Sequence, residues 1–269
     1  MAIPLEDNFA DVIGKAQRGL QISDSELSQR SGISASSLKA LRDGAFDEDA
    51  VRTIAPLLKL NAGALVDLGL NRWQPQPVEL AGLAGFNTPF DDMKVNSYLV
   101  WDAESKQAVI FDTGSDCSWM LDMLHAHRLS LAFILLTHTH GDHVYDLDRI
   151  IEKTGARAYV SEREPMSGVE SFEAGKVFEA GGLRIETRQT WGHSRGGITY
   201  VVRGLAQPVA VVGDALFAGS MGGGMVSYAD ALRTNREEIF TLPYETIICP
   251  GHGPMTTVAE EKIHNPFFA

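Results

Sequence analysis

The stretch LLTHTHGDHVYD, residues 135–146, places three histidines and one aspartate within six positions, directly after an apolar run. These residues are His138, His140, Asp142 and His143. The whole chain has only eight histidines, so their concentration here is a strong local signal. Imidazole and carboxylate groups suit Zn²⁺, Fe²⁺ or Mn²⁺ without any need for cysteine. The stretch is therefore a candidate metal-binding segment.

Three further candidate ligands also follow predicted strands: His193 after TRQTW, Asp214 after PVAVVG and His252 after TIICPG. Loops at strand ends are held by a rigid sheet, which is what a metal site requires. An isolated H-x-H is more often a surface feature, and we interpret His125 and His127 in LHAHRL in that way. The joint occurrence of the motifs predicts one metal site built from seven residues: His138, His140, Asp142, His143, His193, Asp214 and His252.

Composition narrows the class of protein. A formal charge of −12 and a pI near 5.1 disfavour nonspecific attraction to nucleic acid or to an anionic membrane. No run approaches the ~20 apolar residues that a membrane span needs, and the segment MAIPLEDNFADVIG lacks the pattern of a signal peptide. Two cysteines cannot form a disulfide framework in a chain of 269 residues. We therefore expect a cytoplasmic protein with no membrane partner.

A change of pattern near NRWQPQPVEL, residues 71–80, indicates a domain boundary. Residues 1–73 carry almost no strand signal, whereas residues 74–269 alternate β-branched runs with helix-period segments. The predicted helices of this second part are 116–128, 142–154, 229–240 and 256–263. The sequence therefore predicts a small all-α domain, residues 1–73, followed by an α/β domain, residues 74–269.

The small domain contains SDSELSQRSGISASSLKALRDG at residues 23–44. Ser23 and Ser34 are predicted helix caps, Gly32 supplies the turn between the helices and Gly44 closes the second one. This pattern resembles the lambda-repressor-like (XRE-type) helix-turn-helix domains.

That resemblance extends over nearly all of residues 8–70 and would place Ser36, Lys39 and Arg42 against DNA. However, residues 1–70 hold seven Lys/Arg against ten Asp/Glu, a net charge of −3 that is a poor footprint for phosphate binding. The alternative is a compact helical module used for packing or for forming a homodimer.

The second part resembles the metallo-β-lactamase-fold superfamily and, within it, the glyoxalase II-like hydrolases, over residues 78–269. This resemblance implies an α/β fold, the αββα sandwich, with two sheets packed face to face and metals at one edge. The motifs that carry it are VIFDTG (109–114), THTHGDH (137–143), GHSRGGITY (192–200), GDALFAGS (213–220), CPGHGP (249–254) and HNPFF (264–268).

The resemblance also implies the roles of the ligands. Two divalent cations ~3.5–4 Å apart can share a hydroxide whose pKa is lowered towards neutrality, which gives a nucleophile at pH 7. Zn²⁺ is the expected metal, with Fe²⁺ or Mn²⁺ as alternatives. Asp112 is a candidate to orient a ligand imidazole, or else a turn-stabilising aspartate. The implied first site is His138, His140 and His193, the second is Asp142, His143 and His252, and Asp214 bridges them; Asp142 and Asp214 are the catalytic candidates.

Asp214 is informative about the branch of the superfamily, because true β-lactamases of this fold generally have Cys or Ser there. We therefore expect a dinuclear hydrolase of ester, thioester or lactone bonds acting on a small molecule. Two alternatives stay open: a persulfide dioxygenase with one Fe²⁺ on His138, His193 and Asp214, and a DNA-binding regulator with a metal-dependent sensory domain. The Lys and Tyr that grip glutathione in glyoxalase II have no counterpart after Asp214. The candidates for the substrate pocket are Tyr145, Arg195, Met225 and Tyr228.

Overall fold

The computed structural model describes residues 3–269, and its first part is a layer of five helices. Ser23 and Ser34 cap the second and third helices by accepting from the backbone N–H groups of Glu26 and Ser37, and Gly32 ends the second helix at a φ of 73°. These predicted helix ends are confirmed. The helices are α1 (Phe9–Gly19), α2 (Asp24–Ser31), α3 (Ala35–Arg42), α4 (Glu48–Ile54) and α5 (Ala62–Gly69), with a 3₁₀ turn at Pro56–Leu58.

Two six-stranded sheets form the second part, within the same described residues. In the first sheet β1, β2 and β3 are antiparallel and β3 to β6 are parallel; in the second, only β10 and β11 are parallel. The first sheet, in spatial order, contains β1 (Leu83–Phe90), β2 (Met93–Trp101), β3 (Gln107–Phe111), β4 (Ser130–Leu135), β5 (Arg157–Ser161) and β6 (Glu170–Phe172). The second contains β7 (Val177–Ala180), β8 (Leu183–Gln189), β9 (Ile198–Arg203), β10 (Val209–Gly213), β11 (Ile247–Pro250) and β12 (Thr256–Thr257).

The remaining helices differ in detail from the predicted ones. A single helix was expected over 142–154, but the chain breaks at Asp146, whose carboxylate accepts from the backbone N–H of Cys117 at 2.8 Å. Of the helix predicted over 229–240, the α-helical part ends at Thr234, and the chain then forms a π-helical turn at Asn235–Ile239. The helices are α6 (Ser118–Ala126), α7 (Gly141–Val144), α8 (Leu147–Thr154), α9 (Tyr228–Thr234) and α10 (Val258–His264). None of the helices in residues 3–269 combines the length and apolarity that a membrane span requires.

Three apolar clusters hold the sheets and helices together, and they follow the period-2 alternation of strands. In β9, Tyr200 and Val202 point into the core between the two sheets, whereas Val201 points to the opposite face. Helices α6 and α8 cover the outer face of the first sheet. The π-helical turn and α10 cover the outer face of the second. The predicted two-sheet α/β sandwich is confirmed.

The helical layer packs against the sandwich through a fourth cluster. Met221, Ala231 and Phe267 belong to the same buried cluster as the core of α1–α5. Trp73 stacks on His264, with ring centroids 4.7 Å apart. The boundary predicted at residues 73 and 74 stays a prediction, and so does the helix-turn-helix identity of the layer.

Glu261 of α10 gives a prediction about stability. Burial raises the pKa of its carboxyl from the ordinary 4.5 to about 7, although Gly219 N, Asn265 Nδ2 and Thr256 Oγ1 donate to it. The folded protein therefore holds this proton more tightly than the unfolded chain does. Stability is lost as the pH rises from 4.5 through about 7.

We expect Glu261→Gln to remove this loss, because its amide can donate to the Thr256 hydroxyl while its carbonyl accepts the other two bonds. Between about pH 5 and about pH 8 the variant should gain about 3 kcal/mol on the unmodified chain. Urea denaturation at the two pH values measures this difference. Exposed Glu245→Gln is the control. A difference that does not change with pH would contradict the prediction.

Candidate metal centre

The seven predicted ligands converge at one edge of the two sheets. Four of them follow the ends of β4, β8, β10 and β11, and the other three belong to the short helix α7 and its N-terminal cap. Their ligand atoms form two groups, within each of which all atoms lie within 4.8 Å of one another. The first group is His138, His140, His193 and Asp214, and the second is Asp142, His143 and His252.

The Asp214 carboxylate contacts both groups. Its Oδ2 lies 3.4 Å from His193 Nε2 in the first group and 3.5 Å from His252 Nε2 in the second. Its Oδ1 lies 3.2 Å from His143 Nε2, also in the second group. The carboxylate would therefore be a ligand to a cation held by either group.

Hydrogen bonds on the far side of the rings fix how His138 and His143 face the centre. His143 Nδ1 lies 2.8 Å from Asp112 Oδ2, which accepts its proton. Thr137 Oγ1 donates to the same carboxylate, so His138 Nδ1, 3.0 Å from that hydroxyl, must donate to it. Both rings therefore carry a proton on Nδ1 and turn Nε2 towards the centre. The predicted orienting contact of Asp112 is present in the structure.

Backbone carbonyls orient two more rings. His193 Nδ1 donates to Gly223 O at 3.0 Å, and His252 Nδ1 donates to Lys94 O at 2.6 Å. Each then presents Nε2 to the centre. His140 instead presents Nδ1, which lies 3.1 Å from His138 Nε2 and 3.0 Å from His193 Nε2. Five imidazoles thus direct one nitrogen each towards the same small volume.

The donor set fits divalent cations. Among the described residues 3–269, His143 Nε2 and Asp214 Oδ1 are buried atoms that lack a hydrogen-bond partner. An unsatisfied buried polar atom costs about 1–3 kcal/mol, so a native site needs a group that satisfies both. A cation satisfies both, because a deprotonated imidazole nitrogen and a carboxylate oxygen each offer it a lone pair. Nitrogen and carboxylate oxygen are donors that Zn²⁺, Fe²⁺ and Mn²⁺ accept.

Burial and nearby carboxylates have opposite effects on the pKa values of the histidines in the centre. Burial lowers the pKa of His138 well below its ordinary value. Burial also opposes charge on His143 and His252, but nearby carboxylates outweigh it. Asp214 and Asp112 raise the pKa of His143 to about 10, and Asp142 and Asp214 raise the pKa of His252 to about 11. The carboxylates therefore create a potential that binds cations, whether protons or metal ions.

The backbone around the centre leaves no spare room. A methyl group on Gly251 would lie 2.1 Å from Asp214 Oδ1 and 2.6 Å from His143 Cε1. Asn96 of β2 holds this loop by donating to Pro250 O at 3.0 Å and to Gly253 O at 2.7 Å. The loop is thus pressed against the ligands from behind, and only a glycine fits at position 251.

Glu164 is a residue of the site that the sequence did not reveal. Its Oε1 accepts from Thr139 Oγ1 at 2.9 Å, and its Oε2 accepts from Gly196 N at 3.0 Å. Thr139 lies between His138 and His140, and Gly196 lies three residues after His193. The carboxylate therefore ties together the two loops that supply the histidines of the first group. Nothing in the segment SEREP marks this role, because the tie exists only once the loops meet in space.

The predicted pocket residues occupy different environments. Tyr145 is 68% exposed and packs edge-on against Phe90, with ring centroids 5.5 Å apart, and Met225 is 79% exposed. Arg195 is also exposed. The Tyr228 ring instead packs directly on Gly19 of α1, so closely that a methyl group on that glycine would lie 2.2 Å from the ring. These contacts support a packing role for Tyr228, and the other three stay predictions.

Of the predicted DNA-contact residues, Ser36 and Lys39 are exposed and Arg42 is partly exposed, and each contacts a neighbouring polar or acidic side chain. Ser36 Oγ lies 2.9 Å from Ser34 Oγ, and Lys39 pairs with Asp43. Arg42 donates to both carboxylate oxygens of Asp24. An arginine held by a carboxylate offers less positive charge to a phosphate, so these contacts do not strengthen the DNA hypothesis.

Comparisons with known proteins agree with the two-sheet fold and the cluster. The model of the Metallo-beta-lactamase superfamily matches residues 91–252, which leaves α1–α5 outside the match. A probable metallo-hydrolase of Streptococcus pyogenes is 31% identical over 199 residues, 64% of this chain and 84% of that protein. The hydroxyacylglutathione hydrolase GloC of Haemophilus influenzae is 27% identical over 204 residues, 66% of this chain and 95% of that protein. A crystal structure of TTHA1623 in a di-iron-bound form is similar at a TM-score of 0.55 and 26% identity, and covers 68% of this chain and 99% of that one.

Removal of the Glu164 carboxylate should loosen the first group of ligands. We expect Glu164→Ala to weaken Zn²⁺ binding about 10- to 100-fold, because both loop ties are lost. Glu164→Gln should keep most of the affinity, since its carbonyl and amide can replace the two contacts. Competition with a chromophoric chelator measures the affinity. The control is Glu162→Ala, an exposed position in the same loop. Equal affinities for Glu164→Ala and Glu162→Ala would show that the tie is not needed.

The close packing at Gly251 leads to another prediction. We expect Gly251→Ala to abolish or greatly weaken binding of at least one cation, because its methyl group would displace Asp214 or His143. Gly141→Ala is the matched control within the metal-binding segment, since its methyl group would meet only Phe90 Cζ, at 3.9 Å. Isothermal titration with Zn²⁺ compares the two variants. Normal binding by Gly251→Ala would contradict the observed packing.

Proposed function

The chain belongs to the metallo-beta-lactamase superfamily and is a metal-dependent hydrolase, and from this premise we propose that it cleaves ester, thioester or lactone bonds with two divalent cations. Zn²⁺ is the proposed metal, with Fe²⁺ and Mn²⁺ as the other candidates. The proposed ligands are the seven residues of the two groups described above. A small organic molecule, rather than nucleic acid, is the proposed substrate.

The placement of Asp214 carries the proposal of two cations. Its carboxylate lies within 3.5 Å of ring nitrogens from both groups, and its Oδ1 is one of the unsatisfied buried atoms of the described chain. A centre with one cation, bound by the first group, would leave the buried His143 Nε2 of the second group without a partner. The similarity to a protein solved in a di-iron-bound form supports the same number.

The chemistry of the site follows from which residues face the solvent. When bound, two cations would supply Lewis-acid activation of water and polarisation of the substrate carbonyl. His140 is exposed and the side chain of Asp142 is 13% exposed, so substrate and water reach the centre from this side. Asp142 Oδ2 lies 3.2 Å from His252 Nε2, and its carboxylate is placed to accept a proton during hydrolysis. His143 and Asp214 are enclosed and hold the centre from behind.

The rim of the site indicates the kind of substrate. Tyr145, Phe90 and Met225 provide exposed or partly exposed apolar side chains near the metal-binding loops. Arg195 is the cationic candidate in the loop that carries His193. We therefore propose an acyl ester or thioester of modest size with an apolar portion. Hydroxyacylglutathione, the compound named for the H. influenzae relative, fits this proposal less well, because the Lys and Tyr that bind glutathione in glyoxalase II have no counterpart after Asp214.

A second candidate is the persulfide dioxygenase reaction with one Fe²⁺. His138, His193 and Asp214 belong to one group and supply two imidazoles and one carboxylate, the ligand set that non-haem Fe²⁺ oxygenases use. This reaction would not need Asp142 or His143. Substitution of Asp142 therefore separates the two reactions, because only the dinuclear hydrolase depends on the second converging group.

The test combines metal content with turnover. Protein purified without added metal should hold about two equivalents of Zn²⁺, Mn²⁺ or Fe²⁺ and should hydrolyse an aryl ester or thioester. We expect Asp214→Ala and Asp142→Ala each to lower turnover at least about 100-fold while circular dichroism shows a folded sandwich. Asp148→Ala, exposed on α8, is the control.

Near-normal turnover by Asp214→Ala would refute the assignment of the site. One equivalent of iron, oxygen uptake with glutathione persulfide and full activity of Asp142→Ala would instead identify the dioxygenase.

A further inference from the structure

The segment 217–223 connects the bridging candidate Asp214 to the carbonyl that orients His193. A methyl group on Gly222 would lie 1.9 Å from Asp214 O and 2.9 Å from His193 Nδ1, so this segment runs directly against both ligands. Gly223 O accepts the His193 Nδ1 proton at 3.0 Å. We call residues 217–223 the site loop. Its position determines where the His193 ring can lie.

The helical layer reaches the site loop through a buried ion pair. Lys15 of α1 pairs with Asp7, and the two side chains are only 14% and 9% exposed. Asp7 Oδ2 also accepts from Ser220 Oγ, and Lys15 Nζ donates to Met221 O at 2.9 Å. The Lys15 ammonium lies 5.1 Å from the centre of the Phe217 ring. One ion pair from the layer thus contacts three residues of the loop.

The other contacts of the site loop lie on different atoms. From α10 and the residue that follows it, Glu261 accepts from Gly219 N at 3.0 Å and Asn265 donates to Ser220 O at 2.8 Å. These bonds leave the Met221 carbonyl and the Ser220 hydroxyl to the helical layer. Phe217, beneath Lys15, packs edge-on against the His252 ring with centroids 5.6 Å apart. The layer therefore borders His252 of the second group through Phe217, and it borders His193 of the first group through residues 221–223 of the site loop.

An ion pair buried in this way loses hydration and adds little net stability, so its main effect is to fix the positions of the groups that it contacts. We propose that the helical layer is a working part of the metal centre, in which Lys15 and Asp7 are positioning residues that hold the site loop and, through Gly223 O, the His193 imidazole. This role does not require DNA. It rests on the proposed function only in that the centre binds divalent cations.

The experiment compares Lys15→Met and Asp7→Asn with the full unmodified chain. Lys39→Met is the matched control, because it removes a lysine of the same layer that contacts only exposed Asp43. Ser220→Ala cuts the loop contact of Asp7 but leaves the buried ion pair intact, so it remains informative if the other variants fold poorly. Two quantities are measured: hydrogen–deuterium exchange of the site loop with a chelator present, and Zn²⁺ affinity by competition.

We expect exchange of the site loop to rise about tenfold in Lys15→Met and Asp7→Asn, and Zn²⁺ affinity to fall about tenfold. Ser220→Ala should shift both in the same direction, and Lys39→Met should match the unmodified chain. Unchanged exchange, or faster exchange with unchanged Zn²⁺ affinity, would overturn the inference. If the unmodified chain bound no Zn²⁺, Mn²⁺ or Fe²⁺, the proposed function would fail, and the exchange measured with chelator would still decide whether the layer holds the loop.

Discussion

The buried Asp214 carboxylate is the constraint on which the rest of the structure depends. A carboxylate placed among three imidazole nitrogens at the edge of two sheets cannot be hydrated, so opposite charge must reach it. The surrounding rings are held by acceptors on their far sides, so each turns a ring nitrogen towards the carboxylate, where that nitrogen holds either a proton or a metal ion. The arrangement becomes self-consistent when cations lie between these groups. Loops, glycines and orienting acceptors all serve that arrangement.

The sandwich makes this possible because it brings strand ends from both sheets to one edge. β4 of the first sheet and β10 and β11 of the second each end next to a ligand, and the apolar core between the sheets fixes their separation. Asp112, which directly follows β3, has a strained backbone conformation in this arrangement. It adopts a φ of 54°, unusual for a non-glycine residue, and from there accepts hydrogen bonds from Thr137 and His143.

The ligands of the centre could be predicted from the sequence, because histidine and aspartate are chemically distinctive and follow strands that are recognisable from their β-branched and alternating runs. The period-2 runs predicted an α/β domain, the His/Asp motifs predicted the residues that converge, and the resemblance to the metallo-β-lactamase fold implied the two-sheet sandwich. Glu164, Gly223 O and Lys15 could not be found in this way, since the residues near the metal centre that they contact lie 25 or more positions away and their residue types carry no specific signal. The break at Asp146 escaped for the same reason: its cause is a contact with Cys117.

The helical layer illustrates how a local pattern and its tertiary setting can favour different functions. Its caps and turn follow the helix-turn-helix pattern, yet Arg42 is held by Asp24, and the opposite side of the layer is buried with Met221, Ala231 and Phe267. Separating the layer from the sandwich would expose this shared apolar cluster to water, and each Å² of apolar surface exposed costs about 25 cal/mol. A DNA-binding domain needs an unpaired cationic surface and does not need to be packed against the rest of the protein. In this layer Lys39 and Arg42, which the helix-turn-helix pattern would turn towards DNA, are paired with acids, and the inner face is buried against the sandwich, which suits a module that supports the metal centre.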